Sequence, residues 1–261
     1  MARWKAFPHD ADAYRYDVAT LRKKWARLHA GDAEPLPADE AVLAAWQLFH
    51  AGEFQKATEA GLKAHRAGSA GGMTVANKAQ AIYATYLEAS ERDKLALLLE
   101  VAERAERRAR EAPNEANAWY CIAYALGRYS QGISIAKALA QGLGGRVKNA
   151  LETTIRLAPK HADAHIALGA FHAEVIDKIG KLLGKTQGAD AATGLKLFQQ
   201  ALKLNPTSAI ARVEYANGLV MLEGEKKMKE AERLYAEAAA CEPMDAMERL
   251  DVEAAKAELE E

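Results

Sequence analysis

The sequence has little of what marks a secreted or membrane-spanning protein. Only two of its 261 residues are cysteine, and Cys121 and Cys241 lie far apart with no Cys-x-x-Cys pair. They are interpreted as small buried helix residues of a reducing compartment rather than as a disulfide framework. No stretch reaches the roughly 20 apolar residues that a membrane span needs, and the start has no secretory signal. We expect a cytoplasmic protein with no disulfide and no membrane span.

Charge of one sign is also lacking. There are 35 Lys and Arg against 36 Asp and Glu, so no bulk field attracts nucleic acid, and no nucleic-acid partner is expected. The ends differ: residues 1–30 carry seven basic and three acidic side chains, and residues 221–261 carry six and thirteen. Either both ends are solvated faces, or opposite charges attract neighbouring copies, so that a homo-oligomer is possible, or the basic end docks an acidic partner.

Proline is scarce, and its placement reveals a repeat. Pro113, Pro159, Pro206 and Pro243 stand 46, 47 and 37 residues apart, and proline ends a helix. Three copies of one helix pair close on the last three of them: Trp119–Pro159, His165–Pro206 and Arg212–Pro243. In each copy large residues alternate with Gly or Ala on one helical stripe, as in His165, Leu168, Gly169 and His172, which lets a partner helix approach closely.

This pattern resembles the tetratricopeptide repeat, an antiparallel helix pair of about 34 residues. The last copy matches best, with Ala231, Tyr235, Ala238 and Pro243 in the second-helix positions. The middle copies are longer, and their surplus lies between the two helices of each pair, at residues 129–146 and 178–194. The resemblance implies an all-α, tetratricopeptide-like superhelical array of antiparallel helix pairs with expanded middle repeats and helical caps.

We predict one domain over residues 1–261. It comprises a capping helix and connector (1–38), two divergent helix pairs (39–113), three clearer repeats (114–243) and a C-terminal capping helix (244–261). The first helix is predicted over Asp10–Ala30, because Tyr14, Val18, Leu21, Trp25 and Leu28 step along one helical face. Asp245-Ala-Met-Glu248 has capping-box spacing and predicts the start of the last helix, with Met247, Leu250 and Ala254 facing inward.

The resemblance also implies a partner-binding groove on the first helix of each pair. The positions that line it in this family fall on Tyr120, Tyr124, Arg128, Ile166, Ala170, Glu174, Val213, Asn217 and Met221. Only Asn217 matches the family's clamp for chaperone carboxylates, so a chaperone-tail adaptor is not expected. We expect a non-enzymatic scaffold that binds a protein or peptide partner on this groove, unless the two insertions fold over it or mediate assembly.

Other chemistry has weaker support in the sequence. His161, His165 and His172 fall four and seven residues apart and are a candidate metal site, although two of them occupy packing positions of the repeat. No catalytic constellation or phosphate loop is present, so we expect no enzyme activity and no cofactor. The layout of the expanded repeats also resembles the regulator of microtubule dynamics family. The alternatives to an adaptor are therefore a self-associating structural protein or a filament-associated or microtubule-associated factor.

Overall fold

Helices make up all the regular structure of residues 4–260, the part of the chain that the structure, a computed structural model, describes. No strand occurs within those residues, so the all-α prediction is confirmed. The helices are α1 Val18–Leu28, α2 Glu40–His50, α3 Phe54–Arg66, α4 Gly72–Tyr86, α5 Glu91–Glu111, α6 Ala116–Gln131, α7 Ile135–Ala140, α8 Leu143–Leu157, α9 Ala162–Thr186, α10 Ala191–Leu204, α11 Ala209–Glu223, α12 Met228–Ala239 and α13 Ala246–Glu260. Short 3-10 helices cover Asp12–Tyr14 and Gly224–Lys227.

Polar caps fix where several of these helices begin. The Asp39 carboxylate accepts from the backbone N–H of Ala41 at 2.7 Å, which starts α2 at the predicted place. Hydrogen bonds from the Ser69 hydroxyl and then from the Ala41 backbone hold the pKa of Asp39 below its ordinary value. Ser208 caps α11 in the same way through the Ala211 N–H at 3.1 Å.

The first helix is predicted over Asp10–Ala30, and this prediction is wrong for the first two turns. Asp17 accepts from the Thr20 N–H at 2.7 Å, so regular helix begins only at Val18. A separate 3-10 turn precedes it at Asp12–Tyr14. A strong cap inside a continuous apolar stripe therefore sets the helix start, and Val18 is left exposed although the rest of the stripe is buried.

The chain divides into two compact units, of which the first contains the chain up to His29, Glu34–Thr153 and Met244–Met247. Within it α2 packs on α3, α3 on α4, α4 on α5 and α5 on α6. The first helices of successive pairs also touch, α2 with α4 and α4 with α6. That is the packing of stacked helix pairs, in which each pair buries its apolar faces against its neighbours.

Aromatic rings fill the first unit near α1 and α2. Trp46 and Phe49 are fully buried, and Trp25 packs edge-on against Trp46 with ring centroids 5.9 Å apart. Residue Asp245, just before α13, reaches this cluster: its carboxylate lies 2.8 Å from Nδ1 of His50, and both side chains are 1% exposed. A charged residue is seldom buried so fully without a partner, and His50 supplies one.

The second unit contains Ala30–Ala33, Thr154–Pro243 and the described chain from Glu248 on. Here α9 packs on α10, α10 on α11, α11 on α12, and the first helices α9 and α11 touch directly. The last helix covers the final pair, because Val252 and Ala255 of α13 share a buried cluster with Val213 and Ala238. The predicted start of α13 is confirmed. Its predicted inward residues are partly wrong, since Leu250 is buried whereas Met247 and Ala254 are half-buried.

The two predicted insertions are largely helical. Between α6 and α8 the chain forms the short helix α7, capped by the Ser134 hydroxyl, and turns at Gly142, whose φ is 61°. In the next pair α9 itself is extended to Thr186, with an interruption at Gly180, whose φ of 80° lies outside the helical range. The surplus residues therefore add helical turns at one end of each pair.

Close helix contacts in the second unit depend on glycine. The ring of Phe198 on α10 is fully buried, and it lies between Gly169 of α9 and Gly218 of α11. A Cβ at Gly169 would meet the ring at 2.9 Å, and one at Gly218 would meet it at 2.4 Å. The predicted alternation of large and small residues thus has a direct cause, since the ring fills the space that two missing side chains leave.

We expect Gly218→Ala to lower the free energy of unfolding by about 1–3 kcal/mol, because the buried Phe198 ring has no free space to move into. Gly127→Ala is the matched control: it lies inside α6 with nothing within 4 Å of an added Cβ. That change should stabilise the protein by about 0.4–1 kcal/mol through the unfolded state. Urea unfolding followed by circular dichroism measures both, and equal effects of the two changes would contradict this account.

Candidate partner-binding surface

The groove residues nearest the start of each first helix are buried. Tyr120, Ile166 and Val213 occupy the fifth position of α6, α9 and α11, and they are 9%, 5% and 7% exposed. Ile166 packs with Ala201 and Ala211. In the folded chain these three residues therefore contribute mainly to helix packing, and the surface that a partner can reach begins further along each helix.

In the first unit the reachable surface consists of Tyr124 and Arg128. Tyr124 is half-buried, and its hydroxyl donates to the Thr85 hydroxyl at 3.1 Å, across from α6 to α4. The Arg128 guanidinium lies over the Tyr124 ring, 5.7 Å from its centroid. The ring of Tyr120 also lies near this pair, with its centroid 6.2 Å from the centroid of the Tyr124 ring. The structure thus brings together the three predicted site residues of this helix.

In the second unit the later groove positions are also more accessible than the fifth. Ala170 and Asn217, at the ninth position, are half-buried, and the Asn217 amide oxygen accepts a short hydrogen bond from the Tyr235 hydroxyl. At the thirteenth position Glu174 pairs with Lys178 at 3.2 Å, and Met221 is 37% exposed. Burial raises the pKa of the Tyr235 phenol above its ordinary value, so it remains a hydrogen-bond donor to Asn217 at neutral pH.

A cavity of about 440 Å³ lies in the first unit, away from the predicted groove. It is lined by Leu99, Ala102, Glu103, Glu106, Leu126, Tyr129, Gln141, Leu143 and Arg146. At 100° per residue, Leu126 and Tyr129 lie roughly opposite Tyr124 on α6. The insertion between α6 and α8 therefore contributes to a wall on the far side of α6, and sequence reasoning did not predict this cavity.

One repeated contact explains the residues at the first stripe position. Trp119, His165 and Arg212 each lie within hydrogen-bond distance of the carbonyl oxygen of the proline six residues earlier. The distances to Pro113, Pro159 and Pro206 are 2.9, 3.1 and 2.7 Å. An indole, an imidazole and a guanidinium thus have one common task, which is to donate a hydrogen bond to the proline carbonyl in the turn between two helices.

This contact gives His165, one of the three candidate metal ligands, a hydrogen-bond partner in the fold. His165 must donate through Nε2, because the Pro159 carbonyl can only accept. His161 caps α9 by accepting from the Ala164 N–H through Nδ1, and His172 accepts from the Asp190 N–H through Nδ1, both at 3.1 Å. Within the described chain no three His, Cys, Asp or Glu side chains are grouped to hold a metal ion. The three rings therefore have separate structural tasks.

Comparison with solved structures identifies the fold. The chain is similar to TTC0263, a thermophilic TPR protein of Thermus thermophilus, with a TM-score of 0.59 and 17% sequence identity over 84% of this chain and 98% of the other. The chain has the tetratricopeptide-repeat fold. The predicted family resemblance and fold class are thereby confirmed.

Other comparisons add little. The MamA RS-1 ArsTM double mutant aligns over 78% of this chain and 94% of its own with a TM-score of 0.42 and 15% identity, too distant for further argument. No family model and no curated protein matches the sequence. Nothing supports the resemblance to the regulator of microtubule dynamics family. Within the described part of this repeat protein no helix is long and apolar enough to cross a membrane, and Cys121 and Cys241 form no disulfide there.

The histidine assignment is testable by ring-nitrogen NMR. We expect Nδ1 of His161 and His172 to carry no proton, since each accepts from a backbone N–H, and Nε2 of His165 to carry one, since it donates to the Pro159 carbonyl. Adding zinc should leave these signals unchanged. Loss of the Nε2–H correlations on zinc addition would restore the metal hypothesis.

Proposed function

We propose that this protein is a non-enzymatic scaffold or adaptor that holds a peptide segment or partner protein on the first helices of its repeats. The observation that carries the proposal is the Tyr124–Arg128 pair on α6. The guanidinium lies over the ring, both side chains are partly exposed, and the bond from Tyr124 to Thr85 fixes the hydroxyl end of the ring. Tyr and Arg are enriched among the residues that dominate binding energy at protein interfaces.

The chemistry of this pair favours a particular kind of ligand. The ring offers apolar contact at low conformational cost, because the contact with Arg128 and the bond to Thr85 already hold it in place. The guanidinium already donates through Nη1 to the Gln131 amide oxygen at 3.2 Å, and it has further N–H groups of the kind that bond a carboxylate. We therefore expect the bound segment to place an apolar side chain against Tyr124 and an acidic group or backbone carbonyl beside Arg128.

The second unit offers a different set of contacts. Asn217 is already engaged by the Tyr235 hydroxyl, which leaves its amide nitrogen to donate outward. Met221 adds an exposed, adaptable apolar side chain. These features suit backbone and apolar contacts, and they do not supply the cationic side chains of a carboxylate clamp.

Affinity capture with variant baits tests the proposal. Tyr124→Ala/Arg128→Ala should lose at least one partner that the wild type retains, with affinity reduced by about 5–30-fold, the effect of removing a hot-spot residue worth 1–2 kcal/mol. Arg107→Ala/Arg110→Ala is the control, because both residues are exposed cations of α5 outside the groove. Circular dichroism confirms that each bait is folded. An identical partner set for all three baits would exclude this surface.

A further inference from the structure

The end of α9 carries a structured protrusion, residues 178–188, here called the α9 tip. Gly180 interrupts the helix with φ 80° and ψ 160°, and one more helical turn follows before α10. Gly184 is buried, and an added Cβ there would lie 3.2 Å from Ile176 and 3.7 Å from Ala189. The tip is therefore folded back against its own helix and holds a defined shape.

Two adjacent leucines stand out from this tip. Leu182 is 83% exposed and Leu183 is 58% exposed, the highest values for large apolar side chains in residues 4–260. A single exposed leucine is ordinary, but a neighbouring pair at this exposure leaves a continuous apolar patch in water. Such a patch is typical of a contact surface.

Three exposed lysines lie on the tip beside the leucines, and the exposed carboxylates of Asp177 and Asp190 lie just outside it. Lys178, Lys181 and Lys185 are exposed, and residues 178–189 contain no acidic side chain. Lys178 is partly neutralised by Glu174 at 3.2 Å, whereas Lys185 acts on the Asp190 carboxylate only at longer range. Thus two cations without a close ion pair among the described residues, Lys181 and Lys185, flank the two leucines directly.

We propose that the α9 tip binds an anionic lipid surface. A fluid interface adapts to a protruding tip without needing a preformed pocket, so that the leucines enter the acyl boundary while the lysines stay at the level of the headgroups. The attraction is local, because the whole chain has a net charge of only −1. The contact is peripheral, and it uses a different surface from the Tyr124–Arg128 pair.

The chain contains a matched control for apolar exposure. Helix α7 in the other insertion exposes Ile135 (46%) and Leu139 (55%), but only one lysine, Lys137, lies between them. Ile135→Ser/Leu139→Ser removes exposed apolar side chains, somewhat less exposed than the leucine pair, from a patch with less charge. A general effect of exposed hydrophobic residues would appear in this variant as well.

Vesicle cosedimentation of the full-length protein tests the proposal. Wild type should bind vesicles of phosphatidylcholine with phosphatidylserine and not those of phosphatidylcholine alone. Lys181→Gln/Lys185→Gln should weaken the partition by about 25-fold, since each lysine near an anionic surface contributes about 1 kcal/mol, or roughly fivefold. Leu182→Ser/Leu183→Ser should also reduce binding, whereas Ile135→Ser/Leu139→Ser should not. High salt should release the wild type.

Three results would overturn the proposal. The first is no binding of wild type to the anionic vesicles, and the second is equal binding by the α9-tip and α7 variants. The third is a change of molar mass in light scattering when Leu182 and Leu183 are replaced. The last result would assign the tip to self-association. None of them affects capture of a partner through Tyr124 and Arg128, so this proposal and the proposed function fail separately.

Discussion

The second unit depends on one contact, in which the ring of Phe198 occupies space left by Gly169 and Gly218 on the two helices that face it. The backbones of α9 and α11 contact the Phe198 ring of α10 directly, because neither glycine has a side chain. Because helix pairs bury their apolar faces only against neighbouring pairs, the distance of closest approach sets how well each layer packs on the next. The first unit uses the same device, since a Cβ at Gly61 of α3 would lie 2.6 Å from the Gly72 carbonyl of α4.

The turns between pairs show a second constraint, which concerns hydrogen bonding more than shape. Each of Pro113, Pro159 and Pro206 presents a carbonyl in the turn after a helix, and Trp119, His165 and Arg212 supply three unlike donors to these carbonyls. What recurs is therefore a donor at one position, and its chemical type differs in every copy. Sequence comparison by residue type does not detect such a rule, although the spacing of six from each proline is visible once the contact is known.

The same first helices supply both core and surface, and position along the helix separates the two. The fifth-position residues Tyr120, Ile166 and Val213 are buried, whereas later positions such as Tyr124 and Met221 remain accessible. The added helical turns of the middle pairs place further side chains outside this pattern, in a cavity beside α6 and at the α9 tip. Surfaces other than the predicted groove therefore come from the insertions, where local exposure departs from the repeat.

Local sequence determined the helices and their repetition, because periodicity, proline and polar caps act within a few residues: Asp39 and Ser208 start helices where their side chains accept backbone N–H groups. The misplaced start of α1 has the same kind of cause, a cap at Asp17 within an apolar stripe. Tertiary structure alone decided which groove residues are buried, that Asp245 pairs with His50 nearly two hundred positions away, and that Leu182 and Leu183 are exposed. The exposure of a side chain and its contacts with distant residues depend on which segments of the chain pack together. The helical period of the sequence does not indicate which segments these are.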